Sequence, residues 1–236
     1  MLRWTPLGGG PSVRMEGVTH RYGRTPSLKG VDLEIESGEF TYLVGPSASG
    51  KTTLLKLLHG EERPTAGRIW LDGELIGRRR RSTRRRVSVV FQEYRLLERR
   101  TALENIMFAL RVRDLSLRRS EVAGRALTAL ADCGLAMRAS AYPSQLSGGQ
   151  RQRLAIARAL AAQPLLLLAD EPTASLDVDN ARRVTALLRK IAARGTTVIV
   201  ATHDRDLVAA RPNRVIRLSE GEVVPADEPQ ERWASG

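Results

Sequence analysis

Gly45-Pro46-Ser47-Ala48-Ser49-Gly50-Lys51-Thr52 has the form G-x-x-x-x-G-K-[ST] of a phosphate-binding loop. The residues before it, Phe40–Val44, read as a short buried strand, and Thr52–Leu58 (TTLLKLL) has helical character. Gly45 and Gly50 allow backbone geometries that side chains would block. Peptide N–H groups between them can then point inward at phosphate oxygens. The helix N-terminus adds a partial positive charge at the same place. Lys51 supplies a full charge for the β- and γ-phosphates, and Thr52 offers a hydroxyl to Mg²⁺. The motif by itself predicts only a nucleoside triphosphate site.

Downstream, Leu165–Ala169 is an apolar run followed by Asp170-Glu171. Five apolar residues in a row suit a strand buried on both faces of a parallel sheet. A carboxylate at the C-terminal end of such a strand lies where ligands bind in open α/β sheets. Asp170 is thus placed to hold Mg²⁺ through its water shell, and Glu171 to orient and deprotonate an attacking water. Pro172-Thr173 stops the strand. Between the two motifs, Leu146-Ser147-Gly148-Gly149-Gln150 precedes the amphipathic stretch Gln150–Ala161, a second helix N-terminus suited to an anion.

A phosphate loop, then LSGGQ, then an apolar run ending in Asp-Glu resembles the ATP-binding cassette of ABC systems, over roughly Val13 to Val224. The resemblance implies a P-loop NTPase fold: a RecA-like α/β core, an antiparallel β subdomain and an inserted α-helical subdomain at about 93–162. It implies residues 1–12 as an extension and 225–236 as a disordered tail. It implies ATP and Mg²⁺ as cofactors. ATP would be contacted by Gly45, Pro46, Ser47, Ala48, Ser49, Gly50, Lys51, Thr52 and Thr53. Tyr22 would stack on adenine, and Gln92 would sense the γ-phosphate and Mg²⁺ alongside Thr52 and Asp170. Catalysis would rest on Glu171, the switch histidine His203 and Lys51. In the family, the LSGGQ loop of one subunit covers the γ-phosphate held by the other. Ser147, Gly148, Gly149 and Gln150 would therefore act across a head-to-tail homodimer with two ATP molecules in its interface. Residues 174–177 (ASLD) resemble the loop that crosses that interface. Ala48 departs from the usual Gly, needing only a permitted φ, and Thr52 replaces the commoner Ser.

Composition sets limits. With 236 residues, 42% of them hydrophobic, the chain can bury a full core. The longest apolar candidate, Leu154–Ala169, is interrupted by Arg158, Gln163 and Pro164, too soon for a membrane span. No signal-peptide pattern is read at the N-terminus. The lone Cys133 excludes an internal disulfide and fits a reducing cytosol. There is no second phosphate loop and no long repeat, against a two-cassette chain.

Further strands are expected in Val13–Val44, Gly67–Leu71, Val87–Phe91, Thr197–Ala201 and Arg214–Leu218. Helices are expected across Ala102–Met137, Val178–Arg194 and Arg205–Ala210. Leu7–Pro11 and the tail after Pro225 read as disordered. The net charge of +12 has one concentrated source, seven arginines within Arg78–Arg86. Three readings stay open: a solvated face, docking to a membrane subunit or anionic headgroups, and nucleic acid. No aromatics interleave the run, which disfavours a stacking platform for single strands.

Several stretches look like the FtsE branch of the family, the cell-division ATPases. They are Leu54–Leu58, Glu62–Trp70, Arg84–Gln92, Leu96–Thr101 and Thr202–Leu207. That branch implies an integral FtsX-like membrane partner, regulation of peptidoglycan hydrolysis, and a peripheral place on the cytoplasmic side of the bacterial inner membrane. Lipoprotein-release and efflux ATPases share many of these stretches and form the alternative. A soluble ABC ATPase acting on nucleic acid is the alternative of another class. Ala174-Ser175 departs from the Gly-Asn pair associated with FtsE.

Overall fold

The computed structural model describes residues 11–76, 85–209 and 213–225. Two sheets share one body. The strands are β1 (Pro11–Tyr22), β2 (Thr25–Glu36), β3 (Phe40–Val44), β4 (Ala66–Leu71), β5 (Glu74–Leu75), β6 (Val87–Val90), β7 (Leu166–Asp170), β8 (Thr197–Thr202), β9 (Arg214–Ser219) and β10 (Glu222–Val224). The first sheet is antiparallel, in the order β2-β1-β4-β5; the second runs β10-β9-β3-β8-β7-β6. In the second, only β10 pairs antiparallel, with β9; the pairs from β9 through β6 are parallel.

The helices are α1 (Lys51–His59), α2 (Ala102–Arg113), α3 (Arg119–Asp132), α4 (Gly148–Leu160), α5 (Val178–Ala192) and the short α6 (Arg205–Ala209). Alternation along the parallel strands divides the apolar residues between two cores. Leu166, Leu168, Ile199 and Ala201 join α1 and the antiparallel sheet through Leu54, Leu57, Met15 and Ile69. Leu167, Ala169, Val198 and Val200 face the other way and join Leu154, Ile156, Val184, Leu188, Ile106 and Val122 from α2 to α5. Strands buried on both sides explain why these runs read as continuously apolar rather than alternating. Their registers (Ala169↔Val200, Asp170↔Ala201, Val44↔Thr202) bring the strand ends to one edge.

Helix starts follow local chemistry. Thr101 and Glu104 form a reciprocal capping box on α2, and Asp177 caps α5 by accepting from Asn180 N. The stretch expected to be mostly helical, Ala102–Met137, divides into α2, α3 and a 3-10 turn at Ala136–Arg138. β1 begins earlier than expected. Pro11 pairs with Glu36, and Ser12 O accepts from Asp72 N at 2.8 Å, so backbone pairing holds residues read as an extension.

The arginine run lies outside the described residues up to Arg84, as do the N-terminal residues 1–10 and the tail from 226. Arg86 is paired with Asp72 and Glu74 at 2.8 and 2.7 Å, a surface ion-pair role. Among the described residues, no helix is long and apolar enough to cross a membrane.

Candidate active site

The phosphate loop leaves the middle of the parallel sheet at Val44 and enters α1 through Gly50, whose φ is +106°. No side chain caps α1. The first intrahelical bond runs from Leu54 N to Gly50 O at 2.9 Å. The amides of Lys51, Thr52 and Thr53 therefore have no acceptor within the helix. The loop is fitted closely to its surroundings. A Cβ on Gly45 would lie 2.2 Å from Leu218 O, and one on Gly50 would lie 2.7 Å from Ser27 O. Ser49 O accepts from Gly221 N at 3.0 Å, tying the loop to the β9–β10 turn.

Lys51 folds back over the loop, donating Nζ to Gly45 O (2.7 Å) and Pro46 O (2.9 Å). Burial holds its pKa below the ordinary lysine value, with Glu171 and Asp170 opposing the shift. A partly desolvated cation held only by carbonyls gains from an anion more than a solvated one would. The Ser49 hydroxyl is buried and has no hydrogen-bond partner among the described residues. Thr53 is buried as well, and its hydroxyl meets Ser27 Oγ at 2.7 Å. That leaves the Thr53 amide as the group it can offer.

Ala48 departs from expectation. Its φ is +61°, in the left-handed region, where a Cβ crowds the carbonyl oxygen and costs about 1–2 kcal/mol. The alanine is accommodated with strain, rather than at a φ ordinarily permitted to it.

The acidic side of the site comes from β7 and β8. Asp170 pairs with Ala201 in the sheet, and Glu171 N donates to Ala201 O at 2.9 Å. Glu171 also has a positive φ, +46°. Backbone strain of this kind persists where surrounding structure over-determines the conformation. Thr52 Oγ1 donates to Asp170 Oδ2 at 3.4 Å, a long bond joining α1 to β7. Burial first, then the Glu171 charge, push the Asp170 carboxyl above the usual aspartate range, against the Thr52 bond and Lys51. His203 Nδ1 lies 2.8 Å from Glu171 Oε1. The histidine side chain is 69% exposed and the glutamate 16%, so the ring closes over the carboxylate from the solvent side.

Three neighbouring strands, β3, β8 and β7, thus bring Lys51, Thr52, Asp170, Glu171 and His203 together. Gln92 is exposed two residues beyond β6, the next strand along. Tyr22 stands at the end of β1 in the other sheet, 46% exposed and edge-on to His20 at 4.8 Å.

The signature loop is built differently. Ser147 caps α4: its hydroxyl accepts from Gln150 N at 3.3 Å, and Gln150 Oε1 accepts from Ser147 N at 2.9 Å. Gly149 is pressed against α5, where a Cβ would meet Asn180 Oδ1 at 2.4 Å. Gly148 approaches the Tyr94 hydroxyl and Leu176. Among the described residues, no hydrogen bond or ion pair joins residues 147–150 to residues 45–52. Ser27, Leu218, Tyr94 and Asn180 had no signal in the sequence, because each meets its loop from a distant segment.

Beside the end of β6 lies a groove of about 1110 Å³. Phe91, Leu97, Phe108, Val112 and Leu115 supply its apolar surface, Arg85, Arg95, Arg113 and Arg158 its positive charge, and Asp114 a carboxylate. Leu115 is 90% exposed and Val112 67%, unusual for such side chains.

The residues fit a Mg²⁺-bound nucleotide. Open amides, a desolvated lysine and a helix N-terminus suit phosphate. Among the described residues, no cluster of three His, Cys, Asp or Glu could cage a metal. Mg²⁺ instead takes one or two carboxylates plus substrate phosphates and water, which Asp170 beside Thr52 can provide.

Comparisons with known proteins agree with this chemistry. The family model for ABC transporters matches residues 28–174. The arginine transport ATP-binding protein ArgV of Corynebacterium glutamicum is 39% identical over 227 residues, covering 91% of this chain and 89% of its own. The cell division ATP-binding protein FtsE of Mycobacterium tuberculosis is 40% identical over 219 residues, covering 90% and 94%. The phosphonates import ATP-binding protein PhnC of Thiobacillus denitrificans is 43% identical over 223 residues, covering 90% and 86%. Among solved structures, the dimeric post-hydrolysis cassette MJ0796 bound to ADP and phosphate superimposes with a TM-score of 0.78 at 37% identity, covering 90% of this chain and 97% of that one. Cassettes of this family work as dimers with a membrane transporter partner. With its fold, its phosphate loop and these relatives in agreement, the chain belongs to the ABC transporter family as an ATP-binding cassette, an ATPase that uses ATP and Mg²⁺.

Proposed function

We propose that the chain is the ATPase of an FtsE-like complex, closing on ATP as a head-to-tail dimer to move an FtsX-like membrane protein that controls peptidoglycan hydrolysis. In this reading Lys51 leaves the carbonyls of Gly45 and Pro46 and pairs with the transferred phosphate. Thr52, Gln92 and Asp170 hold the metal, and Tyr22 stacks on adenine. Bound Mg²⁺ supplies neutralisation of phosphate charge. Glu171 takes the proton of the attacking water, and His203 holds the Glu171 carboxylate in place. Ser147, Gly148, Gly149 and Gln150 cover the γ-phosphate of the partner's ATP. The placement is peripheral, on the cytoplasmic face of the inner membrane.

The observation that carries the membrane part is the groove with exposed Val112 and Leu115 beside Gln92, an apolar surface where a partner segment can report on the nucleotide. FtsE supports the division role, with a match spanning 94% of its length. The import relatives ArgV and PhnC, at 39% and 43% identity, favour a second reading, the ATPase of a transporter.

The test is co-purification from detergent-solubilised membranes, comparing the native chain with Leu115→Asp. A four-span protein with one large extracytoplasmic loop, recovered with the native chain and reduced about tenfold or more by Leu115→Asp, is the expected result. A permease recovered in its place would move the reading to transport. Tight, salt-dependent duplex DNA binding that stimulates ATP hydrolysis would replace both.

A further inference from the structure

The segment Phe91–Leu97 forms a strap between β6 and the turn before α2, with Gln92 near its start. We propose that Arg158 is a positioning residue that locks this strap to α4, so that an occupant of the groove sets Gln92 and the signature loop in one movement. Arg158 stands in the last turn of α4 and donates Nη2 to Tyr94 O at 2.8 Å and Nη1 to Arg95 O. The planar guanidinium matches two successive carbonyls as a single fork. Burial, with Arg95 nearby, lowers the Arg158 pKa, as expected where a cation is held by main-chain oxygens rather than by an acid.

The strap touches the start of the same helix through its side chain. The Tyr94 ring lies under the Arg151 guanidinium at 5.5 Å, and a Cβ on Gly148 would stand 3.5 Å from the Tyr94 hydroxyl. One residue therefore links both ends of a helix of 13 residues. On its other side the strap lines the groove: Arg95, at φ +50°, stacks on Phe91 at 3.8 Å. Asn105 closes the far end, accepting from Leu97 N at 2.8 Å and donating to Leu97 O at 3.1 Å. Held at β6, Arg158 and Asn105, the strap cannot shift at Phe91 or Arg95 without carrying Tyr94 with it.

The inference rests on the proposal that the signature loop acts across a dimer, and its test separates the two. Glu171→Gln chains are run on size-exclusion columns with ATP-Mg²⁺, alone and combined with Arg158→Ala or Arg158→Lys. Affinity for ATP in the single chain is measured in parallel with a fluorescent nucleotide. Arg158→Ala should raise the protein concentration needed for dimers about tenfold or more, a fraction of what two charge-assisted hydrogen bonds contribute within the chain. Its single-chain ATP affinity should stay within about twofold, because the phosphate loop is untouched. Arg158→Lys keeps the charge and loses the planar fork, so it should recover the dimer only in part. Tyr94→Ala keeps the carbonyls and removes the ring, so it reads the other end if Arg158→Ala fails to fold; it should weaken dimers in the same direction. Arg158→Ala or Tyr94→Ala dimers at the Glu171→Gln concentration would overturn this inference and leave the dimer reading standing. No dimer in Glu171→Gln itself would overturn both.

Discussion

Two helix N-termini in this chain carry the anion-binding signals, and they are finished in opposite ways. At α1 the cap is Gly50, no side chain intervenes, and three amides stay open under a lysine held by carbonyls. At α4 the helix satisfies itself: Ser147 and Gln150 exchange hydrogen bonds in a closed box. The first is prepared to receive a phosphate as it stands. The second must exchange an internal bond for an external one, or use only the amides of Gly148 and Gly149. A primary cradle and a lid would differ in this manner. In the proposed dimer the primary cradle binds in one chain, whereas the lid engages only when a second copy brings a charged group to it.

The largest effect should come from breaking the first of the two. Lys51→Ala removes the positive charge folded over the loop and should weaken ATP binding about 100-fold or more, as titration with a fluorescent nucleotide would record. Ser147→Arg, a bulky change at the lid, should leave single-chain binding within about twofold while abolishing hydrolysis. Equal loss of single-chain affinity in both would erase the distinction.

Mixing those two inactive chains sharpens the comparison. A mixed dimer has one site with both defects and one with neither. Random pairing should return about a quarter of native activity per chain in a phosphate-release assay, if the two sites work independently. No recovery, with mixed dimers demonstrated by differential tagging, would contradict action in trans.

The smallest effects concern stability. Ala48→Gly relieves a Cβ at φ +61° and should stabilise the chain by about 1 kcal/mol without loss of ATP binding. Ser147→Ala, which opens the α4 box, should destabilise by about 1 kcal/mol. Urea unfolding of both variants would check whether one loop is strained and the other relaxed.

Much of this is legible in the sequence. The phosphate loop, the strand ending in Asp170-Glu171 and the strand ending in Thr202-His203 are continuous motifs, and their chemistry follows from neighbours along the chain. Buried parallel strands were readable because apolar residues on both faces leave no alternation. The β1–β2 hairpin was only patchily visible, since these twelve-residue strands contain register shifts and alternate irregularly. The strap clamped by Arg158, and the contacts of Gly45 with Leu218 and of Gly149 with Asn180, had no local pattern at all.

The sequence by itself determined which groups of this protein can meet a phosphate, because backbone amides, a lysine and glycines act over a few residues. Only the tertiary structure decided that Lys51, Asp170, Glu171 and His203 share one edge, because that depends on parallel register between strands drawn from separate segments of the chain. It alone decided that Glu171 and Ala48 sit at positive φ, a conformation imposed on them from outside. It also separated the two helix starts into open and closed. The reason is common to all three: propensity and charge are properties of short segments, whereas burial, register and strain are set by whatever the rest of the chain packs against them.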